Sequence, residues 1–168
     1  KSTFFKESGF QRVKCPAELV VGTIQLTEEL RDPYEFGIEH LVKWTASMGQ
    51  ELLNPPTVEG WHMGHEWIDS AFLIERVNFA SDRLGNTSAP GVANMIDRIR
   101  SDRSDINATD LIDACLYEMG CLRLEEKSRT AIINELGLQE SIACDSQFDD
   151  VANKVFQLIA ASPEYQMA

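Results

Sequence analysis

Apolar residues in this chain of 168 recur at steps of three and four between prolines, glycines and capping side chains. Nowhere do they alternate with polar residues for long enough to argue a sheet. The pattern therefore predicts an all-α fold, about seven helices in a compact bundle. The first helix runs from about 16 to 31, with Pro16 in its first turn and Leu19, Val20, Thr23, Ile24 and Leu26 on one broad face. Asp32-Pro33 caps and starts a second helix, in which Phe36, His40, Leu41, Trp44 and Met48 repeat up to Leu52. Asn54-Pro55-Pro56 stops it, because proline disfavours helical geometry in the residue before it. The stretch PPTVEGWHMG then reads as an ordered and unusually aromatic loop. A third helix spans Glu66 to about Arg83, carries Trp67, Phe72, Leu73, Arg76, Val77 and Phe79 near helical spacing, and stops at Gly85. Four shorter helices follow, at about 90–100, 108–119, 125–136 and 147–161, with Asn107 or Thr109 and Ser146 as caps and Gly120 and Gly137 as stops.

The turn-forming stretch NTSAPG, residues 86–91, is the best candidate boundary. It would divide the bundle into two helical subdomains, 1–85 with the PPxVxGW loop and 86–168. Fifteen basic against 27 acidic residues give a formal net charge of −12, which argues against a nucleic acid partner, since such a partner needs its phosphates neutralised. The charge is −5 over residues 1–84 and −7 over 85–168, so the acidity is diffuse and favours solubility. The longest purely apolar stretches are a few residues, so no membrane span is expected. The chain starts at Lys1 without a readable leader and is expected to be a fragment cut from a longer protein.

Few residues form chemical motifs. Trp61-His62-Met63-Gly64-His65-Glu66-Trp67 has two histidines three apart beside Glu66 and Asp69, but the spacing and order differ from the HExxH zinc motif. No metal is expected there, His62 and His65 remaining a weaker alternative, and no cofactor motif is present. Asp102 to Asp110 lacks the glycine and closing glutamate of a calcium loop, and reads as a helix-capping linker. Arg98, Arg100 and Arg103 interleave with acids and are expected in surface ion pairs. His40 lies on an apolar stripe and is expected in the core or at its edge. Cys15, Cys115, Cys121 and Cys144 form no CxxC pair; Cys115 and Cys121, six residues apart in one expected helix, are too far apart to bridge, so any disulfide would have to use Cys144 or Cys15, and free buried thiols are expected. Adjacent carboxylates such as Glu28/Glu29 diverge around a helix, and no GxSxG, Walker or GxGxxG motif occurs.

Three blocks, RVKCPAELVVGTIQ (Arg12 to Gln25), MGQELLNPPTVEGWHMGHEWIDSAFLIERVNFA (Met48 to Ala80) and LIAASPEYQ (Leu158 to Gln166), closely resemble the C-terminal part of the bacterial domain of unknown function family number eighteen hundred. The resemblance spans essentially the whole chain. The family's recurrent positions map onto Lys14, Pro16, Glu18, Gly49, Gln50, Pro55, Pro56, Val58, Gly60, Trp61, Trp67, Ile68, Arg76, Pro163, Glu164 and Gln166. His62-Met63-Gly64 departs from the Pro-Gly-Gly common in relatives, which weakens the metal alternative. The resemblance implies a bacterial and often exported protein, with more helical sequence upstream and frequently a second exported protein encoded beside it. It implies no established reaction.

Two functional expectations follow. In the first, the chain is a helical scaffold or binding module in which the PPTVEGW loop and the Arg76 helix form a rigid junction towards an upstream part of the chain or a second exported protein. Lys14, Glu18, Gln50, Pro55, Pro56, Gly60, Trp61, Glu66, Trp67 and Arg76 would be its structural or binding residues, with Lys14 and Arg76 paired to Glu18, Glu59, Glu66 or Asp69. The second is a hydrolase or carbohydrate-binding part acting on an envelope or extracellular polymer. Its site would lie at the Trp61–Trp67 loop, with the indoles as sugar platforms and Glu66 or Asp69 as acid/base.

Overall fold

The computed structural model describes residue 3 and residues 11–29, 37–61, 63–101, 103–120, 122–138 and 141–168. Seven α-helices occur among them: α1 Pro16–Thr27, α2 Ile38–Ser47, α3 Ser70–Leu84, α4 Pro90–Arg100, α5 Ala108–Glu118, α6 Glu126–Leu136 and α7 Phe148–Ala161. Two 3-10 helices, Gly64–Ile68 and Pro163–Gln166, precede α3 and follow α7. The all-α expectation holds.

Local chemistry accounts for the helix ends. The chain leaves α1 at Thr27 because Glu28 takes a left-handed conformation, φ 56°. Helix α2 stops at Ser47, short of the expected Leu52, since Gly49 at φ 93° turns the chain and a Cβ there would lie 2.8 Å from the Phe72 ring. The expected start of α2 at Asp32-Pro33, with Phe36, lies outside the described residues. The expected third helix is split by Asp69, whose Oδ1 accepts the amides of Ala71 (3.0 Å) and Phe72 (3.1 Å) and so caps α3. Asn107 caps α5 by accepting the Asp110 amide at 2.8 Å, and Gly137 ends α6 at φ 56°. The periodicity gave no sign of the antiparallel pairing of Asp105–Ile106 (β1) with Ile142–Ala143 (β2), because two-residue strands are too short to show alternation.

Helix α7 is the central element. Its Phe148, Ala152, Val155, Phe156, Ile159 and Ala160 are buried against Phe79, Ala80 and Leu84 of α3 and against α5, while α1 packs on α2, α3 and α4. One continuous apolar core therefore draws on helices from both sides of the 86–89 turn. His40 faces solvent, and α2 sends Thr45 and Met48 inward instead. Arg98 pairs with Glu118 at 2.6 Å and Arg100 with Asp149, the surface use expected of that basic patch. Cys15, Cys115 and Cys144 are free thiols, of which Cys115 is buried as expected while Cys15 and Cys144 are only half-buried; Cys121 lies outside the described residues.

Helices α1 and α4 meet where Gly91 has no side chain, and a Cβ there would overlap the carbonyl oxygen of Leu26. Overpacking against backbone costs about 1–3 kcal/mol. Gly91→Ala is expected to lower stability by that amount, read as an earlier urea midpoint with an unchanged m-value.

Candidate functional site

Arg76 is the largest fully buried side chain, with no solvent exposure. Helical spacing puts it on the same side of α3 as Phe79 and Ala80, so its guanidinium enters the bundle with them. Nε donates to Oε1 of Gln166 at 2.9 Å, and Nη2 donates to the Lys14 carbonyl at 2.8 Å. Nη1 is buried with no hydrogen-bond partner among the described residues. Burial holds the Arg76 pKa down, at about 10.

The two strands of chain that Arg76 joins are also tied to each other. Lys14 donates its amide to the Gln166 carbonyl at 2.8 Å, Ala168 donates to the Arg12 carbonyl at 2.7 Å, and Val13 bridges Met167. The Lys14 ammonium donates to the Tyr165 carbonyl at 2.8 Å and lies 4.5 Å over the Tyr165 ring. Tyr165 meets Thr23 of α1 through a 2.9 Å hydroxyl contact. Burial, then the charge of Arg76, pulls the Lys14 pKa down to about 8.

Glu18 completes this end of α1. Its two oxygens each accept from Arg12 at 2.7 Å, and Oε2 also accepts the Cys15 amide at 2.8 Å, the carboxylate half of a capping box. The Arg12 hydrogen bond holds its pKa at about 2. Gln50 is buried and accepts the Ala17 amide at 2.8 Å, which fixes the base of the following loop to the first turn of α1. Lys14, Arg76 and Gln166 thus share one hydrogen-bond network, beside which Glu18 caps the start of α1 and Gln50 holds its first turn. The partners differ from those expected: Glu18 takes Arg12, Asp69 caps α3, and Lys14 and Arg76 take carbonyl groups and an amide. Neutral acceptors meet Nε and Nη2 of the buried cation without a second desolvated charge, and leave Nη1 without a partner among the described residues.

The 51–61 loop stands outside this network. Asn54 returns to Glu51 through backbone (3.2 Å) and side-chain (2.8 Å) bonds, Thr57 bridges Gly60, and the Trp61 indole N–H donates to the Glu51 carbonyl at 3.1 Å. Within this closed frame Pro55 and Pro56 are exposed, as are Leu53 (97%) and Val58 (107%), followed by Met63 (80%). Trp61 is half-buried and Trp67 only 5% exposed, so the two indoles do not form a pair of open platforms. Glu66 accepts the Met63 amide at 3.3 Å at the start of the 3-10 helix, and His65 is exposed. Among the described residues no group of three His, Cys, Asp or Glu side chains could hold a metal ion, and His62 lies outside them.

Sequence reasoning missed an apolar groove of about 620 Å³ beside α3, lined by Ile68, Leu73, Val77, Leu124, Pro163 and Met167, with Arg123 and Lys127 also on its wall. Leu73 and Val77 fit the helical stripe of α3, and that periodicity does not separate a core position from a groove wall.

Removing Arg76 strands two acceptors and opens a cavity. Arg76→Ala is expected to cost about 2–4 kcal/mol in equilibrium urea unfolding. The Lys14 shift has a defined sign: between pH 8 and 10.5 the folded protein releases a proton that the unfolded chain keeps, so rising pH favours folding through Lys14. Cys115 and Tyr165, both pushed up by burial, act in the opposite direction at high pH. The expected result is therefore differential: the stability of the wild type relative to Lys14→Met rises from pH 8 to 10.5, measured by urea unfolding at each pH.

No helix among the described residues is long and apolar enough to cross a membrane. Comparison with curated proteins and with solved structures gave no match. The blocks that converge on Arg76 and on the 51–61 loop do fit one family model, which matches residues 1–167, and the chain belongs to that family, described as protein of unknown function (DUF1800).

Proposed function

We propose that this chain is a helical binding module of an exported bacterial protein, and that the 51–61 loop is the surface it offers to a protein partner. The observation that carries this reading is the full exposure of Leu53 and Val58 on a loop whose backbone is closed by its own hydrogen bonds and stiffened by Pro55-Pro56. A preformed apolar surface binds with little ordering cost, and large apolar side chains held in water at a fixed place mark an interaction site. Gln50 supports the role from beneath, since it anchors the base of the loop to α1. A hydrolase or carbohydrate-binding role has less to draw on: Trp67 is buried, the Trp61 N–H is committed to Glu51, and Glu66 and Asp69 are engaged as caps.

The test is selection of peptides from a displayed library on the immobilised protein, followed by affinity measurement with Leu53→Asp and Val58→Asp. Neither side chain packs in the fold, so both variants should melt like the wild type. Selected peptides are expected to bind each variant at least about tenfold more weakly, the loss of one anchoring side chain at an interface. Unchanged affinity in both variants would remove the loop from the binding surface.

A further inference from the structure

A cavity of about 200 Å³ lies along α1 and shares no wall residue with the groove beside α3 or with the 51–61 loop. Leu19, Leu26 and Met119 give it an apolar side, and Lys14, Thr23 and Tyr165 bring polar groups to its wall. Gly22 also lies on the wall, inside α1, and a Cβ built there would meet nothing within 4 Å. A glycine within a helix is destabilising relative to alanine, and here no neighbour requires one. Its missing side chain leaves the space open.

The amine on that wall is held in place. Lys14 Nζ donates to the Tyr165 carbonyl at 2.8 Å and lies over the Tyr165 ring. Arg76 from α3 repels the ammonium; Glu18 from α1 favours it but accepts from Arg12 through both oxygens. The neighbouring Cys15 thiol acts on Arg76 rather than on the amine. The end of α5 brings the neutral Met119, beside which Glu118 is turned to Arg98. Burial and Arg76 together leave the amine with a pKa of about 8, so an appreciable share is neutral near pH 7.5, where an ordinary lysine is almost wholly protonated. A neutral amine that donates one hydrogen keeps its lone pair, and a desolvated lysine beside a second cation is an activated nucleophile.

The hydroxyls of Thr23 and Tyr165, 2.9 Å apart, share one hydrogen bond. That bond uses one of their two hydrogens and leaves the other without an acceptor among the described residues. A ligand in the cavity therefore meets an amine, a hydroxyl donor and apolar side chains. A small aldehyde or ketone has the matching parts: an electrophilic carbon, an acceptor oxygen and a short apolar chain.

We infer that this cavity is a site for small apolar aldehydes or ketones, and that Lys14 is the nucleophile that joins them to the protein as a Schiff base. The Nζ lone pair forms the C–N bond while the carbonyl π pair moves to oxygen, which takes a proton as the nitrogen releases one. The nitrogen lone pair of this carbinolamine then forms the C=N bond, the C–O bond breaks, and the hydroxyl leaves with a second proton as water. Both hydrogens of the neutral amine end in that water, and no oxidant or reductant takes part.

Reductive trapping of the whole chain with butanal and cyanoborohydride tests this, because hydride converts the C=N bond to a stable secondary amine that peptide mass mapping assigns to a lysine. At pH 7.5 Lys14 is expected to be modified at least about tenfold faster than the exposed Lys43, Lys127 and Lys154. That ratio should fall as pH rises from 7.5 to 10, where the exposed lysines lose their protons too. Gly22→Leu fills the cavity and suits a helix better than glycine. It should keep the helical circular dichroism of the wild type and slow the Lys14 adduct at least about tenfold, with the exposed lysines unchanged. A Lys14 modified no faster than the exposed lysines at pH 7.5 overturns the inference, and that comparison needs only the wild type. So does a Lys14 rate that a folded Gly22→Leu leaves unchanged, since the amine would then react without the cavity.

Discussion

A guanidinium carried into the core without a carboxylate holds the ends of the described chain together. Arg76 reaches from α3 to Gln166 after the last helix and to the Lys14 carbonyl before the first. The two bonds span 90 and 62 residues of sequence, and the backbone pairing of residues 12–14 with 166–168 forms around them. A charge in such a place is expensive to desolvate, so every partner it has must be correctly placed. The lowered pKa of Lys14 beside it has the same origin, two cations sharing a dry corner. Because α3 packs on both α1 and α7, the network fixes the three helices that surround the core.

The exposed loop inherits its position from this arrangement. Its base is fixed where Gln50 accepts the Ala17 amide, next to Glu18 in the first turn of α1. Beyond that point its order is local: Glu51 receives Asn54 and Trp61, and Thr57 closes on Gly60. The division explains how PPTVEGW can lie almost wholly in solvent. PPTVEGW contributes little to the core, while its prolines, its turn and its indole hydrogen bond keep apolar side chains at a fixed place in water, where burial by a partner is favourable by about 25 cal/mol for each Å² covered.

Helix order was legible because each helix carries its own signals. Pro16 and Pro90 start two helices, Asn107 caps a third, Gly137 ends a fourth, and the stripes through Leu111, Ile112 and Cys115 and through Val155, Phe156 and Ile159 are buried as their spacing requires. The misplacements involve residues with two compatible environments. His40 shares a stripe with core residues yet faces water, and Leu73 and Val77 repeat like core positions yet line a groove. Of the candidate site, the sequence marked Lys14, Glu18, Gln50 and Arg76 through their motif positions. Their partners were not readable, since Gln166 lies 90 residues from Arg76 and Tyr165 lies 151 from Lys14.

The sequence by itself determined an acidic, all-helical chain, its helix limits to within a few residues, and the stiff loop at Pro55-Pro56, because periodicity, capping and proline geometry act over four residues or fewer. Tertiary structure alone decided which acceptors meet the buried Arg76, that Trp67 is covered while Leu53 and Val58 are not, and that an apolar groove lies beside α3. Those outcomes depend on how helices far apart in sequence approach one another, and a guanidinium can donate to a carbonyl, a side-chain amide oxygen or a carboxylate, so packing decides which of them lies within about 3 Å of it.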